Sequence, residues 1–418
     1  MIEHAFYSGG VRWSGQLIDA EDGGARQGAL FEAGPVVRTF DTPAFRGSTF
    51  YEVRAKTVLN RVPGSMPFFD WTVNPYRGCG HRCVYCFARK THTYLDFDAG
   101  LDFDTRIVVK VNAPEVLRRE LARTSWTREH VAMGTNVDCY QRAEGRYRLM
   151  PGIISALADS GTPFSILTKG TLMLRDLPLL KRAARDVDVG LSMSIGFVDE
   201  KLWREVEPGT PSPARRLDAV RTLADSGIGC SVLMAPILPH LADDPEQLRA
   251  TVEAIAKAGA RSVTPLMLHL RPGAREWYAA WLKEHHPDLV PRYRGLYRRG
   301  SYLPAWYGEK VTSLVREYAA EFGMNQSARG SNRREPVQDA EREPETRSQP
   351  RRGAESKRGA ESDRAAESDR DTEPKRAGES KRAAGPDRGA ESPARPHPTQ
   401  LTLFDVDVDV DVDADVDD

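Results

Sequence analysis

The chain has 418 residues, with 59 Lys or Arg against 60 Asp or Glu, a formal charge of −1. That near-neutral total conceals two unlike parts: residues 327–418 hold 17 basic and 23 acidic residues, a net of −6, which leaves the preceding body at +5. A mildly basic body admits a nucleic-acid partner without demanding one. No run approaches the ~18 apolar residues of a membrane span, and the start, Met1-Ile-Glu-His-Ala, lacks a signal-peptide layout, so a soluble, cytoplasmic protein is expected. Five cysteines, three of them within eight residues, argue against a disulfide framework and suit a metal or cluster in a reducing compartment.

In chain order, residues 1–60 are Gly-rich and patchily apolar, and read as an N-terminal extension of uncertain order. Across 61–270, β-rich runs at 69–73, 107–111, 131–134, 164–168, 187–195, 228–234 and 262–267 alternate with helical patterns at 114–122, 153–160, 177–185, 213–226 and 245–258. Such alternation predicts parallel strands joined by right-handed crossovers. Ala158-Asp-Ser-Gly161, Ala224-Asp-Ser-Gly227 and Ala256-Lys-Ala-Gly259 each stand between a helix and a β-run, where glycine ends a helix in the left-handed conformation. The expected fold class is therefore α/β, a barrel or an open doubly wound sheet built from repeated βα units. Residues 271–326 read as a helical continuation of the body. Its Trp277, Trp281, Tyr293, Tyr297, Trp306 and Tyr307 fit core packing better than base stacking.

From 327 onward there is little to bury. A six-residue repeat runs over 352–393 (RGAESK, RGAESD, RAAESD and four variants), and without apolar residues it cannot offset its ordering entropy. A disordered linker is expected. Near its end come Gln400-Leu401-Thr402-Leu403-Phe404, an apolar cluster followed by alternating Val and Asp.

The chemistry concentrates in Asn74-Pro-Tyr-Arg-Gly-Cys79-Gly-His-Arg-Cys83-Val-Tyr-Cys86, a Cys-x3-Cys-x2-Cys spacing just after an expected strand. Three thiolates this close face one centre. Three cysteine ligands leave one iron of a 4Fe–4S cluster open, whereas a zinc shared with His81 or His92 is the plainer alternative. The segment resembles the radical SAM signature, including the aromatic before the third cysteine, Tyr85. Further blocks resemble the spore photoproduct lyase-related subgroup: GTNVDCYQRAE at 134–144, TKGTLMLRDLPLL at 168–180, SMSIG at 192–196, EPGTPSPARRLDAV at 207–220 and APILPHLAD at 235–243.

The resemblance spans about 65–290 and implies a partial (β/α)6 barrel of TIM-like form. It also implies two cofactors, a 4Fe–4S cluster on Cys79, Cys83 and Cys86 and S-adenosylmethionine on the open iron. Carried over residue by residue, it places Tyr85 by the adenine and gives Asn136 and Asp138 the amino group or ribose. Lys169 and Arg216 would take the methionine carboxylate, Ser194 would donate to ribose or carboxylate, and Ala235 and Pro236 would pack on adenine. One departure stands out: the subgroup's hydrogen-returning cysteine aligns with Met133 or Gly134, so Cys139 or Tyr140 becomes the candidate hydrogen donor. Gln400, Leu401, Leu403 and Phe404 resemble the peptide with which bacterial repair proteins bind the DNA sliding clamp; an unremarkable hydrophobic spot is the alternative. The expected function is radical SAM chemistry on nucleic acid, in repair or base modification, fed by a reductant such as flavodoxin or ferredoxin. A peptide, protein or small-metabolite substrate, or a non-catalytic DNA-associated scaffold, are the alternatives.

Overall fold

The structure, a computed structural model, describes residues 35–62 and 69–324. The hexapeptide repeat and the Gln400–Phe404 motif lie outside these residues. Eleven strands are described: β1 (Val36–Thr39), β2 (Thr49–Val53), β3 (Leu59–Arg61), β4 (Trp71–Val73), β5 (Tyr76–Arg77), β6 (Arg106–Lys110), β7 (Val131–Met133), β8 (Phe164–Thr168), β9 (Val189–Ser194), β10 (Ser231–Ile237) and β11 (Val263–Met267).

Six of them, β4-β7-β8-β9-β10-β11, lie parallel in chain order, and β3 extends the sheet antiparallel to β4. With β4 and β11 unpaired to each other, this is a six-stranded partial barrel, as the resemblance implies. Helices Leu149–Asp159, Leu177–Asp186, Pro213–Asp225 and Pro245–Lys257 return the chain between strands. Residues 274–321 contribute three more helices, on Ala274–His285, Val290–Leu296 and Ala305–Glu321. Tyr278, Tyr293 and Tyr297 are buried among them, as the packing expectation holds, while Trp306 is exposed.

The three glycine punctuations work as local chemistry predicts. Gly161, Gly227 and Gly259 have φ of +69°, +80° and +78°. In each, the glycine N–H donates three residues back and the next N–H five residues back, onto Leu157, Leu223 and Ile255. This double bond closes the helix end and aims the chain at the next strand. At the opposite helix ends, Ser212 and Asp244 cap the first free N–H groups, each followed by a proline at the first helical position.

Two expectations are corrected. The run at 107–111 is a strand, but β6 belongs to a second, four-stranded sheet of order β1-β2-β6-β5. Periodicity reports a buried strand and does not say which sheet it joins. Residues 36–61 are also no loose extension: β2 runs parallel to β6, β3 pairs with β4, and Phe50, Val53 and Val58 are buried in the core.

Candidate active site

The carboxyl ends of the parallel strands surround a cavity of about 170 Å³, walled mainly by apolar atoms. Gly134, Asn136 and Asp138 follow β7, Thr168 and Lys169 close β8, and Ser194 ends β9. Ala235 and Pro236 come from β10, Leu266 to His269 from the end of β11, and Cys79, Cys83 and Cys86 from the loop after β5. Ligands gather at this end of parallel α/β sheets because the strand-to-helix loops converge there.

The cysteine loop is held by its backbone. Gln141 grips it from both sides, accepting from the Gly80 N–H (3.0 Å) and donating to the Gly78 carbonyl (2.9 Å). The fully buried Arg89 donates to the Cys83 carbonyl (2.9 Å) and to both oxygens of Asp104. The loop that opens the EPGT block presses on it as well. The Gly209 N–H donates to the His81 carbonyl, and a Cβ at Gly209 would lie 2.2 Å from the Gly80 oxygen. Burial pushes all three thiols up; the neighbouring Asp138 adds to this at Cys79 and Glu207 at Cys83. Lys169 and Arg216 act the other way at Cys83, and Arg89 at Cys86, but burial outweighs them.

Beneath the cavity sits a carboxylate that the sequence reading did not assign, Glu207, fully buried. It accepts from the Tyr85 hydroxyl and the Arg216 guanidinium and pairs with the Lys169 ammonium (3.2 Å). Burial alone would push its carboxyl up, but Arg216, Lys169 and Tyr85 outweigh that and hold it at about 2. Lys169 also donates to Ser194 Oγ (2.7 Å) and the Ala235 carbonyl (3.1 Å), so its three protons are all engaged. The EPGTPSPARR block contains both Glu207 and Arg216; their nine-residue spacing around the start of a helix was the signal available.

The structure brings Tyr85, Asn136, Asp138, Lys169, Ser194, Ala235 and Pro236 to the cavity with the three cysteines. It does not bring Arg216 there. Arg216 is 1% exposed, one layer behind the wall, and bonded to Glu207 and the Ser194 carbonyl (2.8 Å). Asp138 lines the cavity, yet its oxygens are spent on the Tyr140 and Lys169 N–H groups, Thr168 Oγ1 and His81. Its work is to position the β8 turn and His81. Asn136 has no such commitments among the described residues.

The two hydrogen-donor candidates also lie elsewhere. Cys139 is fully buried in the main core, and Tyr140 turns its hydroxyl to Asp176 (3.0 Å). Neither lines the cavity. Of the aligned positions, Met133 is buried within β7. Gly134 does face the cavity, but with φ of +80° and the Leu167 oxygen 1.8 Å from any Cβ it admits no side chain.

Residues 73–264 match the radical SAM superfamily. An uncharacterised Mycobacterium tuberculosis protein is 51% identical over 317 residues, covering 75% of this chain and 93% of that protein. The chain belongs to the radical SAM superfamily. An uncharacterised Methanocaldococcus jannaschii protein is 30% identical over 192 residues, 46% of this chain and 69% of that one. Spore photoproduct lyase, in a structure complexed with a dinucleoside spore photoproduct, shares the fold with a TM-score of 0.51 at 17% identity. That match covers 68% of this chain and 83% of the lyase.

The radical SAM cofactors are a 4Fe–4S cluster and S-adenosylmethionine, and the residues present fit both. The three thiols of one loop line one cavity, Cys79 and Cys83 buried and Cys86 partly so, and each nearby histidine has one ring nitrogen engaged. His81 Nδ1 faces Asp138 (3.3 Å) and His92 Nε2 faces the Arg106 carbonyl (2.8 Å). Cys79, Cys83 and Cys86 would hold the cluster, and an iron centre would supply the charge that stabilises them as thiolates. Ala235, Pro236, Leu268 and Phe87 provide apolar faces for an adenine, and Asn136 a free amide. Lys169 can meet a carboxylate only by giving up one of its present bonds. When bound, the pair would supply an electron and a 5′-deoxyadenosyl radical; the chain's part would be to hold them in a cavity lined mainly by apolar atoms.

Proposed function

We propose that this radical SAM protein reductively cleaves S-adenosylmethionine and turns the resulting radical on nucleic acid, in repair or base modification. The observation that carries the substrate half is the cavity mouth. His269, which lines the cavity, stacks on the exposed Tyr302 (5.8 Å, 27°) and contacts Phe87, over which Arg271 lies at 5.5 Å. Aromatic faces with an arginine beside them are what an unpaired base stacks upon. The net charge of +5 on the body and the shared fold with a lyase complexed to a dinucleoside photoproduct support the same reading.

A cytoplasmic setting belongs to this reading, since a reducing compartment suits cluster-bound thiols. Electrons would come from a flavodoxin or ferredoxin, and Gln400, Leu401, Leu403 and Phe404 would tether the enzyme to the sliding clamp. No helix among the described residues is long and apolar enough to cross a membrane.

The test is anaerobic incubation of the reconstituted full-length protein with dithionite and S-adenosylmethionine, with and without single-stranded or damaged duplex DNA. Formation of 5′-deoxyadenosine, stimulated by DNA, is expected. No 5′-deoxyadenosine would sink the enzymatic reading, and deuterium transfer to a peptide or metabolite in place of DNA would sink the nucleic-acid one.

A further inference from the structure

A second, polar cavity of about 780 Å³ lies where the two sheets meet. Asn60 on β3 and Asn74 after β4 come from the barrel sheet, Arg77 on β5 and Lys110 on β6 from the other. Lys90, Thr91, Thr93 and Tyr94 close it from the 3-10 helix Phe87–Leu95. Among the described residues no Asp or Glu lines it, and Asn136 lines both this cavity and the cysteine-lined one.

Its cations are unusual in being unpaired. Lys110 is 6% exposed, yet its ammonium makes no hydrogen bond or ion pair among the described residues. The nearest candidate, Glu120, is committed to Thr57 and to the Val58 and Leu59 N–H groups. Arg77, half-buried, has no side-chain partner there either, and the Asn74 Oδ1 is buried without one. Burial, reinforced by Arg77 and opposed by Glu120, lowers the Lys110 ammonium to about 8. An isolated buried cation is costly, and proteins keep one where an anion offsets the cost.

We propose that Arg77, Lys90 and Lys110 form a phosphate-binding cavity that holds a phosphate ester of a nucleotide while Asn136 marks the passage to the reaction cavity. Arginine and lysine neutralise the phosphate charge and supply the charge-assisted donors, while the Thr91 and Thr93 hydroxyls and the Asn60 amide, already bonded to backbone carbonyls, line the walls. The volume is within the range of ~300–1,000 Å³ of ligand pockets and accommodates a mononucleotide. The assignment of that ester to a polynucleotide rests on the proposed function above.

Binding of a fluorescein-labelled single-stranded oligonucleotide to full-length protein saturated with S-adenosylmethionine tests this, with thymidine monophosphate and inorganic phosphate as competitors. Saturation keeps the probes out of the cofactor cavity. Lys110→Met is expected to weaken oligonucleotide binding about tenfold or more, as loss of a charge-assisted bond does. Lys90→Ala, on an exposed residue, weakens it by a smaller factor, and Lys257→Ala, on a distant helix, leaves it unchanged. A thermal melt confirms that each variant folds. If the competitors bind in a Lys110-dependent way but the oligonucleotide does not bind, the cavity stands with a mononucleotide as its ligand and the polynucleotide reading falls. Equal affinities of wild type, Lys110→Met and Lys90→Ala for all three probes would overturn the proposal.

Discussion

Lys169 and Lys110 are both largely buried lysines at the carboxyl ends of strands, one in each sheet, and their surroundings are opposite. Lys169 has a hydroxyl, a carbonyl and a carboxylate for its three protons; Lys110 has none among the described residues. The first belongs to a bonded unit in which Glu207 bridges two cations behind an apolar wall. The second is charge left without a counter-ion beside a polar cavity. A paired buried charge holds a site in shape, and an unpaired one waits for something to arrive.

The strongest way to break the contrast starts at the cysteines, which the paired network surrounds. Replacing Cys79, Cys83 or Cys86 by alanine is expected to abolish iron incorporation and 5′-deoxyadenosine formation, read by iron analysis and chromatography. Full iron content in any one variant would remove that residue as a ligand.

Next in size is the network itself. Glu207→Gln strands Arg216 and Lys169 as buried cations, with an expected loss of roughly 3–5 kcal/mol in urea unfolding. Adding Arg216→Met recovers part of that loss, because the two residues act as one unit. The same carboxyl predicts a pH dependence. Its folded value of about 2 lies below the ordinary 4.5, so its stabilisation is complete above pH 4.5 and is lost as pH falls towards 2. The amount is about 3 kcal/mol, and a Glu207→Gln chain lacks that part of the slope.

Lys110 sharpens the comparison from the other side. Its folded value of about 8 lies below the ordinary 10.5, so the folded chain carries a costly proton below pH 8 and is relieved of that cost as pH rises to 10.5. Lys110→Met is therefore expected to stabilise the ligand-free protein at pH 7 by up to roughly 3 kcal/mol, with the gain fading above pH 8. A destabilised Lys110→Met would mean that the ammonium has a partner after all. The smallest effects belong to the residues the fold withdrew from the chemistry. Cys139→Ala and Tyr140→Phe should leave the rate of S-adenosylmethionine cleavage within about twofold of wild type, since neither lines the cavity.

Much of the site was legible because it is local in sequence. The cysteine spacing, the aromatic Tyr85 and the helix-ending glycines are read within a dozen residues, and local backbone chemistry makes each of them do the same thing in the fold. Residue roles that depend on direction were not legible. Arg216 on the helix Pro213–Asp225 and Asp138 after β7 carry the right charges, yet one lies behind the wall and the other spends its oxygens on backbone, Thr168 and His81. Cys139 lies only a few residues past β7, and the turn through Gly134 sends it into the core.

The sequence by itself determined that three cysteines line one cavity, that βα units repeat, and which strand ends surround the site. Short-range spacing and periodicity suffice for that, because neighbours along the chain cannot be far apart in space. Only the tertiary structure decided that β1 and β2 join the 107–111 run in a second sheet, that Glu207 bridges Lys169 and Arg216, and that Lys110 has no counter-ion among the described residues. These are outcomes of long-range packing. Whether a buried charge has a partner depends on which distant segments burial brings within about 4 Å, and no local pattern records that.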